Sequence, residues 1–322
     1  MDPTYGYDLQ TLLRVGSPEP PDDFADFWKA MYARAREVAV APAITSGPRW
    51  LGDLEVYDIS YTSTDGVRLG GWLTVPGNGP VRRGIVAGHG YGGRDAPDPV
   101  ALLPDAATIF PCARGLGARG LVPELPDTAA LHVLHGISNR DRYIHGGCAA
   151  DLWCAATALA ELVPEAAARL DYVGGSFGGG IGALALGWDD RFTAGCLHVP
   201  SFGNHPLRLT LRCTGSGEAV RHYARTHPEI VDVLRYFDAA TAARFLSKPM
   251  LVAAALADPA VPPPGQFAVH NALPGPKQLV VSSAGHMEYA EEEAETRQRI
   301  EAERSFLLAP TSDPADPSSA RR

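Results

Sequence analysis

Leu170-Asp171-Tyr172-Val173 reads as a strand, and it runs straight into Gly174-Gly175-Ser176-Phe177-Gly178-Gly179-Gly180. A helix is expected to follow, carrying Ala185 and Leu186. The spacing G-x-S-x-G needs this strand–turn–helix context: the serine sits on a sharp, strained turn, and the flanking glycines relieve crowding there. Gly179 and Gly180 let the helix pack close to the sheet. The competing reading is a glycine-rich turn whose serine merely caps the helix.

The rest of the chain supports an alternation of strands and helices. Ile85-Val86-Ala87 and Ala107 to Pro111 are short continuous apolar runs, as expected of strands buried on both faces. Further strands are expected at Ala194 to Val199, 249–255 and 278–282. Between them, a helix should carry Leu152, Ala156, Leu159 and Val163 on one face and stop at Pro164, after an irregular stretch over 115–146. Other helices fall near 265–272 and over 288–307, the last with Glu293–Arg297 and Glu295–Arg299 at ion-pair spacing. Upstream, Tyr57, Ile59 and Tyr61 alternate, Asp65-Gly66 turns the chain, and Val67, Leu69, Leu73 and Val75 alternate back, which spells a hairpin. Before it, Pro20-Pro21 stops the chain and Asp22 or Asp23 can cap a helix whose stripe is Phe24, Phe27, Trp28 and Met31.

This pattern predicts an α/β fold with a mostly parallel sheet and helices on both faces. Residues 1–50 form an N-terminal helical extension, 51–308 the main domain, about 200–247 a lid insertion, and 309–322 a disordered tail with the composition Pro310-Thr311-Ser312-Asp313-Pro314.

Composition excludes several functions. With 28 Lys and Arg against 37 Asp and Glu, the net charge of -9 leaves no basic surface for nucleic acid and disfavours polyanionic substrates. No apolar run is long enough to cross a membrane, and Met1-Asp2-Pro3-Thr4-Tyr5 does not read as a secretory signal. The five cysteines, Cys112, Cys148, Cys154, Cys196 and Cys213, form no CxxC pair and read as reduced thiols of a cytoplasmic protein. No metal is expected: the histidines are scattered, and His132 and His135 lack a matching carboxylate cluster. No cofactor is expected either. The stretch Gly88-His89-Gly90-Tyr91-Gly92-Gly93 lacks the acidic residue of a dinucleotide site and the Gly-Lys-Ser/Thr of a phosphate loop.

A nucleophilic serine needs a base within hydrogen-bond reach and a third group to orient that base. Downstream of Ser176, Asp258 follows the strand 249–255 and His286 follows the strand 278–282. The order serine, acid, histidine is that of α/β-hydrolases, and both residues lie where strand ends deliver side chains to a crevice. Asp238 and Glu288 are the rival orienters; Asp238 more readily caps a helix from about 239. The oxyanion donors are expected from the N–H of Phe177, the residue after the nucleophile, and from the N–H of Tyr91 in the glycine-rich loop.

From about residue 20 to 308 the chain resembles the acetyl xylan esterase / cephalosporin C deacetylase family, a branch of the α/β-hydrolases. The resemblance is carried by Asp23-Phe24 with Phe27-Trp28, Asp65-Gly66-Val67-Arg68-Leu69 with Gly71-Trp72-Leu73, His89-Gly90-Tyr91-Gly92-Gly93-Arg94 and Gly174-Gly175-Ser176. Arg235-Tyr236-Phe237-Asp238, Asp258 with Pro262-Pro263, Phe267-Ala268, Lys277 and Gly285-His286 complete it. It implies Ser176 as nucleophile, His286 as base, Asp258 as its orienter, and Tyr91 and Phe177 as oxyanion donors. It also implies a homo-oligomer, a ring-like hexamer built from dimers, with the exposed faces of 1–50 in contact. The chain departs from the family at Leu116 and Phe177, where glutamine is usual, at His145, where a tyrosine run often ends in arginine, and at Met287, where glutamate is common.

The function so implied is a serine esterase that hydrolyses a short-chain, acetyl-type ester of a sugar or small natural product through an acyl-enzyme. The partner is a small-molecule ester, with neither nucleic acid nor membrane involved. Acyl transfer and lactone or amide hydrolysis use the same residues, and a non-catalytic binding protein on this fold is the remaining alternative.

Overall fold

The computed structural model describes residues 1–98 and 103–309. Among these, nine strands make one sheet: β1 (Ala43–Leu51), β2 (Leu54–Thr62), β3 (Arg68–Pro76), β4 (Arg83–Gly88), β5 (Ala106–Pro111), β6 (Leu170–Gly175), β7 (Phe192–His198), β8 (Met250–Ala255) and β9 (Lys277–Ser282). Their order is β1-β2-β3-β5-β4-β6-β7-β8-β9. The first three strands and the β3–β5 pair are antiparallel, and every other pair is parallel. This is an α/β-hydrolase fold.

The apolar runs explain the layers. Within each central strand, successive side chains point to opposite faces. Val86, Leu197 and Val252 join one core with the helices α2 (Phe24–Arg36), α4 (Ile144–Leu162) and α5 (Phe177–Ala185). Their neighbours Ile85, Cys196 and Leu251 face the other way and pack with Leu307 of α11 (Glu292–Leu308). The remaining helices are α1 (Leu9–Leu12), α3 (Ala129–His132), α6 (His205–Arg208), α7 (Gly217–Ala224), α8 (Ile230–Leu234), α9 (Ala239–Ala243) and α10 (Pro263–Ala272). Four of these, α6 to α9, fill the 200–247 insertion.

The structure departs from the sequence pattern in several places. The extension over 1–50 is helical only as far as Arg36; Ala43–Leu51 is an edge strand on the main sheet, so residue 50 does not mark the end of a separate helical unit. Its sequence, with Ser46, Gly47 and Pro48, carries little strand signal, and its side chains are almost all exposed. Pairing with β2 makes it a strand. Helix α4 begins at Ile144, inside the stretch 115–146 that the sequence pattern leaves irregular, and is buried on nearly all sides, as a helix between sheet, α2 and α5 must be. On α11 the Glu293–Arg297 pair forms, but Glu295–Arg299 gives way to other partners. Arg299 pairs with Glu303 at 2.9 Å in a buried position, while Glu295 accepts from the N–H and O–H of Ser283 at 2.8 and 2.6 Å. Beyond Ala309, the expected tail lies outside the described residues.

The hairpin turn is as the sequence indicates: Asp65 and Gly66 both take positive φ, 62° and 72°. The stripe of α2 also holds, with Phe24 and Trp28 fully buried and the Trp28 indole N–H donating to Tyr236 O at 2.9 Å. That bond ties the N-terminal helix to the insertion. Asp23 precedes α2 without capping it and pairs instead with Arg140 at 2.8 Å.

The chain leaves β4 to one side, to make β5, and returns on the other side of β4 to make β6. Such a reversal opens a crevice beyond the carboxyl ends of the strands. Gly88 pairs with Gly174, and Ala255 with Ser282, so the loops after β4 and β6, and those after β8 and β9, emerge side by side.

Candidate active site

Ser176 stands at the tip of the β6–α5 turn with φ 54° and ψ -115°, a backbone conformation that a side chain makes costly. Its surroundings hold it there. Ser176 N–H donates to His198 O at 2.8 Å, and its carbonyl accepts from the N–H of Gly180 and of Ser201, both at 3.0 Å. The glycines matter through close approach: a Cβ on Gly178 would lie 2.8 Å from His89 O. Only a bare backbone lets α5 come this near to the loop after β4.

His286 and Asp258 reach the serine from the next strands. Ser176 Oγ lies 3.0 Å from His286 Nε2, and His286 Nδ1 lies 2.7 Å from Asp258 Oδ2. A carboxylate only accepts, so Nδ1 carries a proton, and in a neutral imidazole that tautomer presents Nε2 as the acceptor toward the serine hydroxyl. The three side chains that the sequence singles out as triad therefore form one hydrogen-bonded chain. The rivals do not join it. Asp238 is buried at the N-terminus of α9, accepting from Ala240 N–H and Thr241 N–H at 2.9 Å each, as its capping pattern suggests. Glu288 points to solvent.

Asp258 is wholly buried, yet its acceptor positions are filled. Oδ1 accepts from Ala260 N–H and Val261 N–H, both at 2.9 Å, and Oδ2 accepts from the Gln266 amide at 3.0 Å as well as from His286. Gln266 lies on α10, and nothing in the sequence marked it: eight residues from the aspartate, inside a proline-rich segment, it has no motif of its own. The N-terminal arm also touches this loop, with Asp258 N–H donating to Pro3 O at 2.9 Å.

On the other side of the serine, the backbone amides of Tyr91 and Phe177 have no acceptor among the described residues. The loop that carries Tyr91 is fixed by His89. Ala113 N–H donates to His89 Nε2 at 3.0 Å, so the ring proton sits on Nδ1 and is donated to Gly90 O at 2.6 Å. Burial lowers the His89 pKa to about 4, which keeps this ring neutral. The rings of Tyr91 and Phe177 pack together at 4.3 Å between centroids, and the Tyr91 hydroxyl meets His145 Nε2 at 3.1 Å.

The cleft beside the serine is a cavity of about 630 Å³. Gly90, Tyr91, Ser176 and His286 form its floor, Ala129 and Ala130 of α3 one wall, and the insertion supplies Thr214, Ala219 and His222. Of the positions where the chain departs from its expected family, Leu116 and His145 are buried and Met287 is exposed at the rim of a neighbouring hollow. Among the described residues no group of three histidine, cysteine, aspartate or glutamate side chains is placed to hold a metal. All five cysteines are free and buried, and no helix of the described residues is long and apolar enough to cross a membrane.

Comparison with known proteins agrees with this architecture. A family model described as acetyl xylan esterase matches residues 9–301. An acetyl esterase of Xylanibacter ruminicola is 24% identical over 277 residues, 81% of this chain, and the chain spans 62% of that relative's length. Among solved structures, an acetyl xylan esterase from a Paenibacillus species superposes with a TM-score of 0.77 at 23% identity, covering 92% of this chain and 100% of the other. An acetyl xylan esterase from a Thermoanaerobacterium species gives 0.77 at 18% identity, covering 92% and 98%. At such identities the structural likeness speaks for the fold. The family match runs from the first helix into the last and takes in Tyr91, Ser176, Asp258 and His286; the chain belongs to the acetyl xylan esterase family.

Proposed function

We propose that this protein is a serine esterase that removes a short acyl group, acetyl above all, from a hydroxyl of a sugar or small natural product. The observation that carries the reading is the unbroken path Ser176–His286–Asp258, at 3.0 and 2.7 Å, with the Tyr91 and Phe177 backbone amides, which have no acceptor among the described residues, beside the serine. Family membership and the name of the Xylanibacter relative favour an acetyl ester.

In this reading Ser176 Oγ attacks the ester carbonyl while His286 Nε2 takes its proton. Asp258 holds the ring and stabilises the imidazolium. The carbonyl oxygen becomes an oxyanion held by the Tyr91 and Phe177 N–H groups. The C–O bond to the alcohol then breaks, and His286 returns the proton to the leaving oxygen. Water, activated by the same imidazole, releases the acyl group and restores the serine. The cleft is much larger than an acetyl group, so it has room for a bulky alcohol part.

Release of acetate from acetylated sugars and acetylated small metabolites tests the reading. Ser176→Ala should abolish it, and Asp258→Asn should lower turnover by up to ~10⁴-fold by presenting the wrong imidazole tautomer. Near-native activity in Ser176→Ala would end the proposal. A cytoplasmic setting accords with five buried free thiols. Self-association belongs to the same proposal: Ile44 and Trp50 are exposed on the edge strand β1, and light scattering showing only monomer at micromolar concentration would remove this part.

A further inference from the structure

We infer that Gln266 is a positioning residue for the catalytic acid: its buried amide fixes which way the Asp258 carboxylate faces and thereby aligns His286. The inference rests on the esterase reading above.

The orientation of the Gln266 amide follows from its neighbours. Ala255 N–H, at the end of β8, can only donate, and it lies 2.8 Å from one end of the amide, which must be Oε1. Val261 O can only accept, and it lies 2.6 Å from the other end, which must be Nε2. Nε2 therefore directs its second hydrogen at Asp258 Oδ2, 3.0 Å away. That oxygen is the one that also accepts from His286 Nδ1. One side chain thus joins the end of β8, the turn after Asp258 and the carboxylate itself. Gln266 is wholly buried, so no water can replace any of these bonds without a rearrangement.

The consequence is chemical as well as mechanical. With Ala260 N–H and Val261 N–H on Oδ1, and Gln266 and His286 on Oδ2, the Asp258 carboxylate meets four donors and, among the described residues, no acceptor. Such a shell aims a donor at each carboxylate oxygen from a fixed direction, and Gln266 and His286 share the oxygen that faces the ring. A residue at 266 without a donor would leave Oδ2 free to turn from the histidine. A carboxyl group at 266 would place an acceptor against an acceptor.

Gln266→Glu preserves shape and reverses this chemistry; Gln266→Met keeps the bulk and removes the donor, and serves if the glutamate variant fails to fold. The readout is hydrolysis of p-nitrophenyl acetate, with thermal melting as a check on folding. The expected result is a fall in kcat of about 30–100-fold with KM within about threefold, since Gln266 touches no substrate. In an Asp258→Ala background the same substitution should lower kcat no further, because there is no carboxylate left to position. A kcat within about threefold of wild type in both variants, or an equal loss with and without Asp258, would overturn the assignment. Ser176→Ala, assayed in parallel, tests the esterase reading by itself. If it is inactive while the Gln266 variants match wild type, only the role of Gln266 fails.

Discussion

Gly285 and Asp258 are packed so closely that a Cβ on residue 285 would lie 2.7 Å from Asp258 Oδ2. The same Cβ would meet Ala255 Cβ at 3.2 Å and Val199 Cγ1 at 3.3 Å, so it has no free direction. Gly285→Ala should therefore push the carboxylate off the line to His286. Misplacement of a catalytic group by about 1 Å can cost 10²-fold in rate, and a loss of about 10–100-fold in kcat is expected on p-nitrophenyl acetate. Wild-type turnover in the variant would show that the loop yields without moving Asp258.

The phenol of Tyr91 offers a separate test of the oxyanion loop. Its backbone N–H is the donor assigned to the oxyanion, whereas its hydroxyl is spent on His145 Nε2. Burial holds the His145 imidazole well below the usual histidine range, so the ring is neutral and the bond is a neutral one. Tyr91→Phe should cost about 1–2 kcal/mol of stability for the lost buried hydrogen bond, while keeping the amide in place. Denaturant titration should register that loss, and kcat should fall less than about tenfold. Complete inactivity would mean that the hydroxyl itself takes part in the chemistry.

Arg114 and Asp151 form a buried ion pair at 2.8 Å, and Asp151 also accepts from Ser63 Oγ at 2.6 Å. This pair fastens α4 to the hairpin turn at 63–66, where Arg114 also donates to Thr64 Oγ1 at 2.9 Å. Asp151→Ala leaves a guanidinium buried without its carboxylate, a change that typically costs about 3–5 kcal/mol. A clearly lowered unfolding midpoint is expected in urea. An unchanged midpoint would show that water or Asp65, 3.5 Å from Arg114, takes over the charge.

Acid should destabilise the fold early. Burial lowers the pKa of His89 to about 4 and those of His198 and His205 to about 3. In the unfolded chain each titrates near ~6.5. Above that value all three are neutral in both states, and the stability is complete. Between ~6.5 and their folded values the unfolded chain binds more protons, so stability falls as pH falls. The melting temperature should hold from pH 8 to about 7 and drop steadily toward pH 5, a trend that calorimetry can follow. A flat profile across this range would contradict the burial of these rings.

What the sequence determined by itself was whatever acts over a few residues. A strand entering Gly174-Gly175-Ser176 can turn in few ways, and the order Ser176, Asp258, His286 follows from strand ends alone. The Asp65-Gly66 turn and the two-sided burial of β4 and β5 were legible for the same reason: backbone preference and apolar pattern are local. The tertiary structure decided what depends on partners distant in the chain. Ala43–Leu51 becomes a strand because β2 offers it an edge, although its own residues prefer nothing strongly. Glu295 leaves Arg299 because Ser283, on another element, offers it two donors at closer range than a solvated helix face could. Gln266 is an ordinary helix residue until α10 folds back over the end of β8, where burial removes water as an alternative partner and leaves its amide facing Asp258.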